Sequence, residues 1–354
     1  MDGELVEVSR GSGEGYVSFD SQYSNTPLGS SPGSLRRTFL SLFIPRPDEG
    51  VCTSSILSIG VRQPEARIPF RWKVAIDGST IAREFKPQFR ASIDKGVYMR
   101  AIYDVKPLLS RKLAERVSHR FTAVYDSYQP VTLADVSLLA VFSGQGRYSY
   151  SYHTGALAME PGDSVKVDAS IGGLIGDRVA VIALHIPSTS SIVRIVAGGS
   201  DPVEVTGPGF RLVRVKIPYR GGLVPVAIMY EDPGTRFYPR IVTVSDVLVY
   251  DQVYPSPRLR LRIDSVEASD SEAVIEGVVE NTGEGPARSP MIIVLGMGIR
   301  LARSELGDVE PGSSRRFTVR ARLDRAPIRP SSLTVRVVWS NLGRTMFDDA
   351  HVRV

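Results

Sequence analysis

Apolar and polar residues alternate with a period of two along much of the chain, and the alternation is clearest beyond Pro257. Leu259, Leu261 and Ile263 interleave with Arg258, Arg260 and Arg262. Phe317, Val319, Ala321 and Leu323 interleave with Arg316, Thr318, Arg320 and Arg322, and Leu333, Val335, Val337 and Trp339 with Thr334, Arg336 and Ser340. Successive strand side chains point to opposite faces, so this spacing gives one apolar and one wetted face, as a layer of a two-sheet sandwich requires. Further strands are predicted at 273–280, 291–297, around 304–306 and at 346–354. Together they predict a seven-stranded immunoglobulin-like sandwich over 258–354.

Upstream, short apolar runs end on turn residues: 38–44 at Pro45, 55–61 before Pro64, and 70–76 at Asp77-Gly78. One stretch, 104–117, has helical spacing, with Asp104 as a cap and Leu109, Leu113 and Val117 at i, i+4, i+8. The run 223–234 echoes 121–130. Further echoes follow the same order: 72–79 with 193–200, 97–102 with 209–214, and 136–142 with 241–250. Ordered matches of this kind predict a duplicated β-sandwich unit, 35–142 and 146–254, in which 219–222 replaces the helix of the first copy. Residues 1–34, rich in Gly and Ser, predict a flexible lead-in around one short strand at 15–19. Pro255-Ser-Pro257 is a stiff joint and a predicted domain boundary.

Val278-Val-Glu-Asn-Thr-Gly-Glu-Gly285, followed by Gly307-Asp-Val-Glu-Pro-Gly-Ser-Ser314, resembles the cell-adhesion-related sandwich domains of archaeal and bacterial surface proteins. Those domains pair an Asn-Thr-Gly turn after the second strand with a Leu-x-Pro-Gly-x-Ser turn before the fifth, where this chain has Asp-Val-Glu-Pro-Gly-Ser. The resemblance covers the last 98 residues or so and brings no catalytic residues with it. More loosely, the duplicated part, with Tyr103-Asp104-Val105 and Tyr230-Glu-Asp-Pro233, is similar to an uncharacterised archaeal surface-protein family with paired jelly-roll-like domains. The expected fold is therefore all-β: tandem β-sandwiches, two jelly-roll-like units and then the immunoglobulin-like domain, linked into a rod.

Composition narrows the classes. Of 354 residues, 42% are hydrophobic and 23% charged, an ordinary folded balance. The apolar stretches 179–186 and 291–299 fall short of the roughly 20 residues a membrane helix needs. The net charge of +5 is spread along the chain and makes nucleic acid a poor partner. Three Asn, six Gln and an excess of Arg over Lys suggest a hyperthermophile, although GC-rich codons also favour Arg. Cys52, the one cysteine, leaves no internal disulfide or Cys-based metal cluster, and its apolar flanks predict a buried small hydrophobe. The acidic opening, 1–8, does not read as a secretory signal, and none of the three Asn begins a glycosylation acceptor.

Candidate chemistry is sparse. His119, His153, His185 and His351 have no metal-ligand spacing, and no nucleophile elbow, phosphate loop or dinucleotide fingerprint is present. Glu231 and Asp232 are weighed as a calcium site against a solvated turn. Tyr148, Tyr150 and Tyr152 share one strand face, with Ser149, Ser151 and His153 on the other. Such a stripe is a covered sheet face, a protein interface or a platform for sugar rings. In the C-terminal domain, Glu276 and Glu280 are expected outward between Arg258, Arg260, Arg262 and Arg316, Arg320, Arg322. That arrangement forms a structural ion-pair ladder or, alternatively, an Arg-lined surface for an acidic partner.

The expected function is that of a non-enzymatic structural or adhesive protein of a hyperthermophile cell surface or extracellular assembly. Its partners would be other proteins or its own copies, with no cofactor and no metal. The alternatives are a carbohydrate-binding module and an intracellular or virus-like structural subunit.

Overall fold

The computed structural model describes residues 1–47, 50–64, 70–94, 96–173, 176–218, 222–234 and 240–354. Strand makes up 69% and helix 4%, an all-β chain as the alternation predicts. Two compact units divide at Val253 and Tyr254, beside the Pro255-Ser256-Pro257 segment.

In chain order the first unit begins with β1 (Asp2–Leu28), β2 (Arg37–Phe43), β3 (Cys52–Gln63), β4 (Phe70–Ile76), β5 (Ser79–Phe85), β6 (Phe89–Ile93) and β7 (Gly96–Asp104). Helix α1 (Lys106–Glu115), β8 (Ser118–Val124), β9 (Val131–Met159), β10 (Ser164–Ser170), β11 (Asp177–Ile186) and β12 (Ile192–Ala197) follow. It closes with β13 (Val203–Thr206), β14 (Gly209–Lys216), β15 (Leu223–Glu231) and β16 (Val242–Val253).

Two long antiparallel strands organise this unit. β1 pairs with β9 from Asp2 opposite Ala158 to Leu28 opposite Val131. β9 also pairs with β3 along its first half and with β16 along its second. The result is one eight-stranded sheet in the order β14-β11-β16-β9-β3-β7-β6, with β1 beside β9. Two four-stranded sheets, β2-β8-β4-β5 and β10-β15-β12-β13, complete two sandwiches.

The duplication is visible in this order. β10, β15, β12 and β13 repeat β2, β8, β4 and β5, while β14, β11 and β16 repeat β7, β3 and the first half of β9. The echoed segments therefore lie on equivalent strands. Among the described residues α1 and β6 have no counterpart; residues 219–221 of the connection opposite α1 lie outside them. Leu109 and Leu113 anchor α1, Asp104 Oδ1 accepts the Lys106 amide at 3.0 Å, and the helix ends before Val117.

Each sandwich has its own core, one around Leu57, Ile59, Trp72, Phe121 and Phe142, the other around Ile182, Leu184, Ile195, Val226 and Val247. A third cluster joins Val17, Phe19, Leu139, Val141, Val181 and Leu248, drawn from both halves of the large sheet. Period-two alternation explains it: along β9, Leu138 and Ala140 enter the first core while Leu139 and Val141 enter the middle layer. The two sandwiches thus pack on the outer faces of the sheet they share.

Two expectations need correction. Residues 1–34 are not a flexible lead-in, because β1 occupies 27 of them as a paired strand. Its glycines serve close approach: a Cβ on Gly11 would lie 3.2 Å from the Tyr150 ring, and one on Gly13 would lie 3.3 Å from the Tyr148 hydroxyl. Gly15, at φ +139°, sits at a register shift where a side chain would be driven into the Phe142 carbonyl. Nor are 35–142 and 146–254 joined by a linker, since β9 continues through residues 142–146 with only a bulge at 144–146, where its register with β1 shifts. The reading of tandem sandwiches strung on linkers does not hold for these two.

The second unit contains β17 (Leu259–Ala268), β18 (Glu272–Asn281), β19 (Met291–Gly296), β20 (Ile299–Glu305), β21 (Ser314–Arg322), β22 (Ser332–Asn341) and β23 (Arg344–Arg353). They form sheets β17-β18-β21 and β20-β19-β22-β23 over a core that includes Ile275, Val319, Val335, Val337 and Trp339. Asn281 joins the two motif segments of this unit. Its Nδ2 donates to the Gly285 and Val309 carbonyls at 2.8 and 2.9 Å, and its Oδ1 accepts from the Arg258 and Gly283 amides. A buried amide with all these partners fixes both turns.

Candidate functional site

Alternation along β9 places Tyr148, Tyr150 and Tyr152 on one face, but that face is the middle layer of the first unit. Tyr150 is 4% exposed and Tyr152 0%. The Tyr148 and Tyr150 rings lie 6.0 Å apart, and Phe19 lies 5.7 Å from Tyr152. The stripe is therefore a covered sheet face, and the reading of an open sugar platform or outer docking stripe is corrected by its burial.

Tyr152 leads to the densest polar cluster in this layer. Its hydroxyl donates to Asp246 Oδ1 at 2.6 Å, and Asp246 receives both oxygens' worth of bonds from Arg100 Nη2, at 2.9 and 2.8 Å. Arg100, on β7, is 0% exposed. Its Nη1 donates to Asp135 and to the Tyr98 hydroxyl, its Nη2 also to Ser137, and its Nε to Ser58 and Thr154. Tyr98 donates in turn to Asp135 Oδ2 at 2.8 Å. Burial opposes the charge on Arg100, yet Asp135 and Asp246 beside it hold its pKa well above the ordinary value. Burial pushes the Tyr98 and Tyr152 phenols up, so both remain neutral donors.

This cluster binds β3, β7, β9 and β16 together across the two sandwiches. Gly60 makes room for it, since a Cβ there would lie 2.7 Å from the Tyr98 hydroxyl and collide with the Asp135 carboxylate. Asp246 turns toward it at a bulge in β16, where the register shifts between Val244 and Asp246. The sequence signal was available: charged residues interrupt apolar runs at Arg100, Asp135 and Asp246, and a buried charge needs a partner. A second buried pair joins Arg178 to Asp251 at 2.8 Å.

At the ends of β3, β9, β11 and β16 the sandwiches leave a cleft of about 470 Å³. Arg62, Gln63, His185 and Arg240 line it, with Thr132 and Thr243. His185 stacks on Tyr23, with ring centres 5.3 Å apart. Burial, with Arg62 and Arg211 adding positive field, pushes the His185 pKa down to about 4. Arg240 is held by Asp232, which accepts its Nη1 at 3.1 Å, the Ser190 hydroxyl at 2.7 Å and the Gly234 amide at 3.0 Å. Burial works against the Asp232 charge, but Ser190, Gly234, Arg240 and Ser191 hold its pKa down to about 2. Glu231 points elsewhere and pairs with Arg194 at 2.6 Å. The two acids weighed as a calcium site are thus separately paired, and among the described residues no group of three His, Cys, Asp or Glu could hold a metal ion.

Cys52 is buried, which pushes its thiol pKa up and makes it a core residue.

In the second unit, β17, β18 and β21 lie side by side, and Glu276 and Glu280 face outward with Arg260, Arg262, Arg316, Arg320 and Arg322. The ladder itself does not form. Arg260 lies opposite Glu280 in register, while past a register shift between Ile263 and Ser265 it is Ser265 that lies opposite Glu276, its hydroxyl donating there at 3.1 Å. Arg262 and Arg316 face Val278. Arg262 pairs with Asp264, Arg322 with Asp324, and Arg320 reaches Glu272 at 3.9 Å. Among the described residues no ion pair joins Glu276 or Glu280 to Arg258, Arg260 or Arg316.

No family model and no curated protein matches the chain. Among solved structures, β-glucuronidase of Parabacteroides merdae is similar at 10% identity and a TM-score of 0.23, over 60% of this chain and 28% of that one. β-Glucuronidase of Ruminococcus gnavus is similar at 11% identity and a TM-score of 0.21, over 58% of this chain and 35% of that one. The chain spans about a third or less of those proteins, and likeness at this level assigns neither fold nor activity.

Proposed function

We propose that this chain is a non-enzymatic structural or adhesive protein, serving as a stiff module in a cell-surface or extracellular assembly of a hyperthermophile. One observation carries the reading: the buried Arg100 cluster joins both sandwiches of the first unit through Asp135 and Asp246. Buried charge is an expensive way to gain stability, but it specifies one arrangement of the groups around it. A fold that commits its main ionic cluster to fixing two sandwiches suits a part that holds position. The resemblance of the second unit to cell-adhesion-related domains supports the same reading, through the turns that Asn281 joins.

Immunogold labelling of the producing cells with antibody to the folded chain tests it, together with electron microscopy of the purified protein. Label on the envelope and ordered filaments or lattices are expected. Label confined to the cell interior, with the protein a free monomer, would contradict the proposal.

A further inference from the structure

We infer that the outer edge of β14 takes up an extended, acidic strand of a partner protein by β-addition. The contact goes beyond the positional role proposed for the module, and it is measured on the purified chain, apart from any label on the cell.

β7 and β14 are equivalent strands of the repeat: 97–102 answers 209–214, so Tyr98, Arg100 and Ile102 stand where Phe210, Leu212 and Arg214 stand. Val105 donates its amide to the Ser55 carbonyl at 3.0 Å, which in this antiparallel register turns the backbone groups of Tyr98, Arg100 and Ile102 away from β3. β6 fills that edge, with Phe89 opposite Arg100 and Ala91 opposite Tyr98. Gln88 extends the cover: its Oε1 accepts the Ile102 amide at 2.8 Å, and its Nε2 donates to the Ile102 carbonyl at 3.3 Å.

The second copy has the same edge without that cover. Ile217 donates to the Arg178 carbonyl at 3.0 Å, so Phe210, Leu212, Arg214 and Lys216 turn their backbone groups away from β11. β14 is the last strand of its sheet. Arg211 Nη1 donates to the Phe210 carbonyl at 3.0 Å, and among the described residues nothing pairs with the outward backbone groups of Leu212, Arg214 and Lys216. Leu212 packs toward the middle layer and Val213 toward the second core, and both are only half-buried, so a strand laid here would cover them. An open row of amides and carbonyls is a template for one more strand.

Charge selects the occupant. β14 and the β11 residues paired with it, 179–186, carry Arg211, Arg214 and Lys216 and no carboxylate. On neighbouring strands Asp251 is taken by Arg178 and Glu204 by Arg194. Even with Asp177, just beyond the paired span, set against the three cations, the edge keeps a positive excess. The undescribed stretches of this half, 174–175, 219–221 and 235–239, hold no carboxylate either. A second copy paired antiparallel, β14 to β14, would bring these cations against their own kind, which is destabilising. A strand that alternates acidic and apolar residues instead sets its acids beside Arg214 and Lys216, and its apolar side chains beside Val213 and Val215.

The test is titration of the full chain with a capped, labelled peptide of alternating Glu and Val, as long as β14. Binding is read by fluorescence anisotropy and by hydrogen exchange at the Leu212, Arg214 and Lys216 amides. The peptide should saturate with a Kd on the order of 0.1 mM or tighter and slow exchange at those amides at least about tenfold. A Lys-Val peptide of the same length should bind at least about tenfold more weakly because its charges are repelled. The fully N-methylated Glu-Val peptide should do the same because it cannot donate to the ladder. Arg214→Glu with Lys216→Glu should reverse the preference between the Glu-Val and Lys-Val peptides, with the melting temperature retained. Absence of saturation on the folded wild-type chain overturns the inference, as does equal binding of the Lys-Val or the N-methylated peptide. Protection of those amides by self-association without peptide assigns the edge to a second copy and overturns it too. An unchanged preference in the folded double variant overturns it as well.

Discussion

Arg100 on β7 and Asp246 on β16 meet at 2.8 Å with both side chains fully buried, one from each sandwich of the first unit. The contact converts a duplicated fold into a single body. Removing one member of a buried pair leaves the other charge unsolvated, which typically costs about 3–5 kcal/mol. Arg100→Met should therefore lower unfolding free energy by about that much in urea titrations. In an Asp246→Asn background the same change should cost less, by about 1–3 kcal/mol of coupling. Strict additivity would show that the two residues do not act as a pair.

Gly60 tests the space around the cluster. Gly60→Ala places a methyl group against Asp135 and 2.7 Å from the Tyr98 hydroxyl. Overpacking of this kind costs about 1–3 kcal/mol. A variant as stable as the wild type, measured by its denaturation midpoint, would mean that β3 can shift away without loss.

Much of this fold is legible in the sequence. Ordered echoes such as 72–79 with 193–200 identify equivalent strands, β4 and β12, because equivalent burial selects similar apolar runs. Period-two patterns locate three strands of the second unit, and short apolar stretches point to the other four, although the piece expected around 304–306 catches only the end of β20 (Ile299–Glu305). What is not legible is how strands pair at long range. Gly and Ser in residues 1–28 read as flexible locally, yet they are selected for close approach to β9, a partner over a hundred residues away. The tyrosine stripe is placed on the right face of its strand, but alternation cannot say what covers that face. The ladder fails for a still smaller reason: Arg262 and Arg316 lie opposite Val278 and not a glutamate, and Arg262 and Arg322 turn to Asp264 and Asp324 two residues along the chain.

That pairing alters the expected behaviour of the second unit. Glu276→Gln with Glu280→Gln removes charges that make no ion pair with the arginines beside them, and exposed charges of this kind contribute within about 0.5 kcal/mol. The melting temperature should stay nearly constant at low and at high salt. A large drop confined to low salt would restore the ladder.

Asp232 predicts the acid response. Its folded pKa of about 2 lies below the ordinary 3.8, so its stabilising contribution is present above the unfolded value and fades as pH falls from about 4 to about 2. The shift corresponds to about 2 kcal/mol. Asp232→Asn should lose roughly that amount at neutral pH and show a flatter stability profile between pH 4 and 2. An unchanged slope in urea titrations across that interval would assign the acid sensitivity elsewhere.

Hydrogen-exchange mass spectrometry of the full chain, in rising denaturant, tests the fusion of the two sandwiches most directly. Peptides from β3 and β7 should lose protection in the same step, at the same denaturant concentration, as peptides from β11 and β14. If residues 35–142 open while 146–253 remain protected, the two sandwiches are independent and the Arg100 cluster does not make them one body.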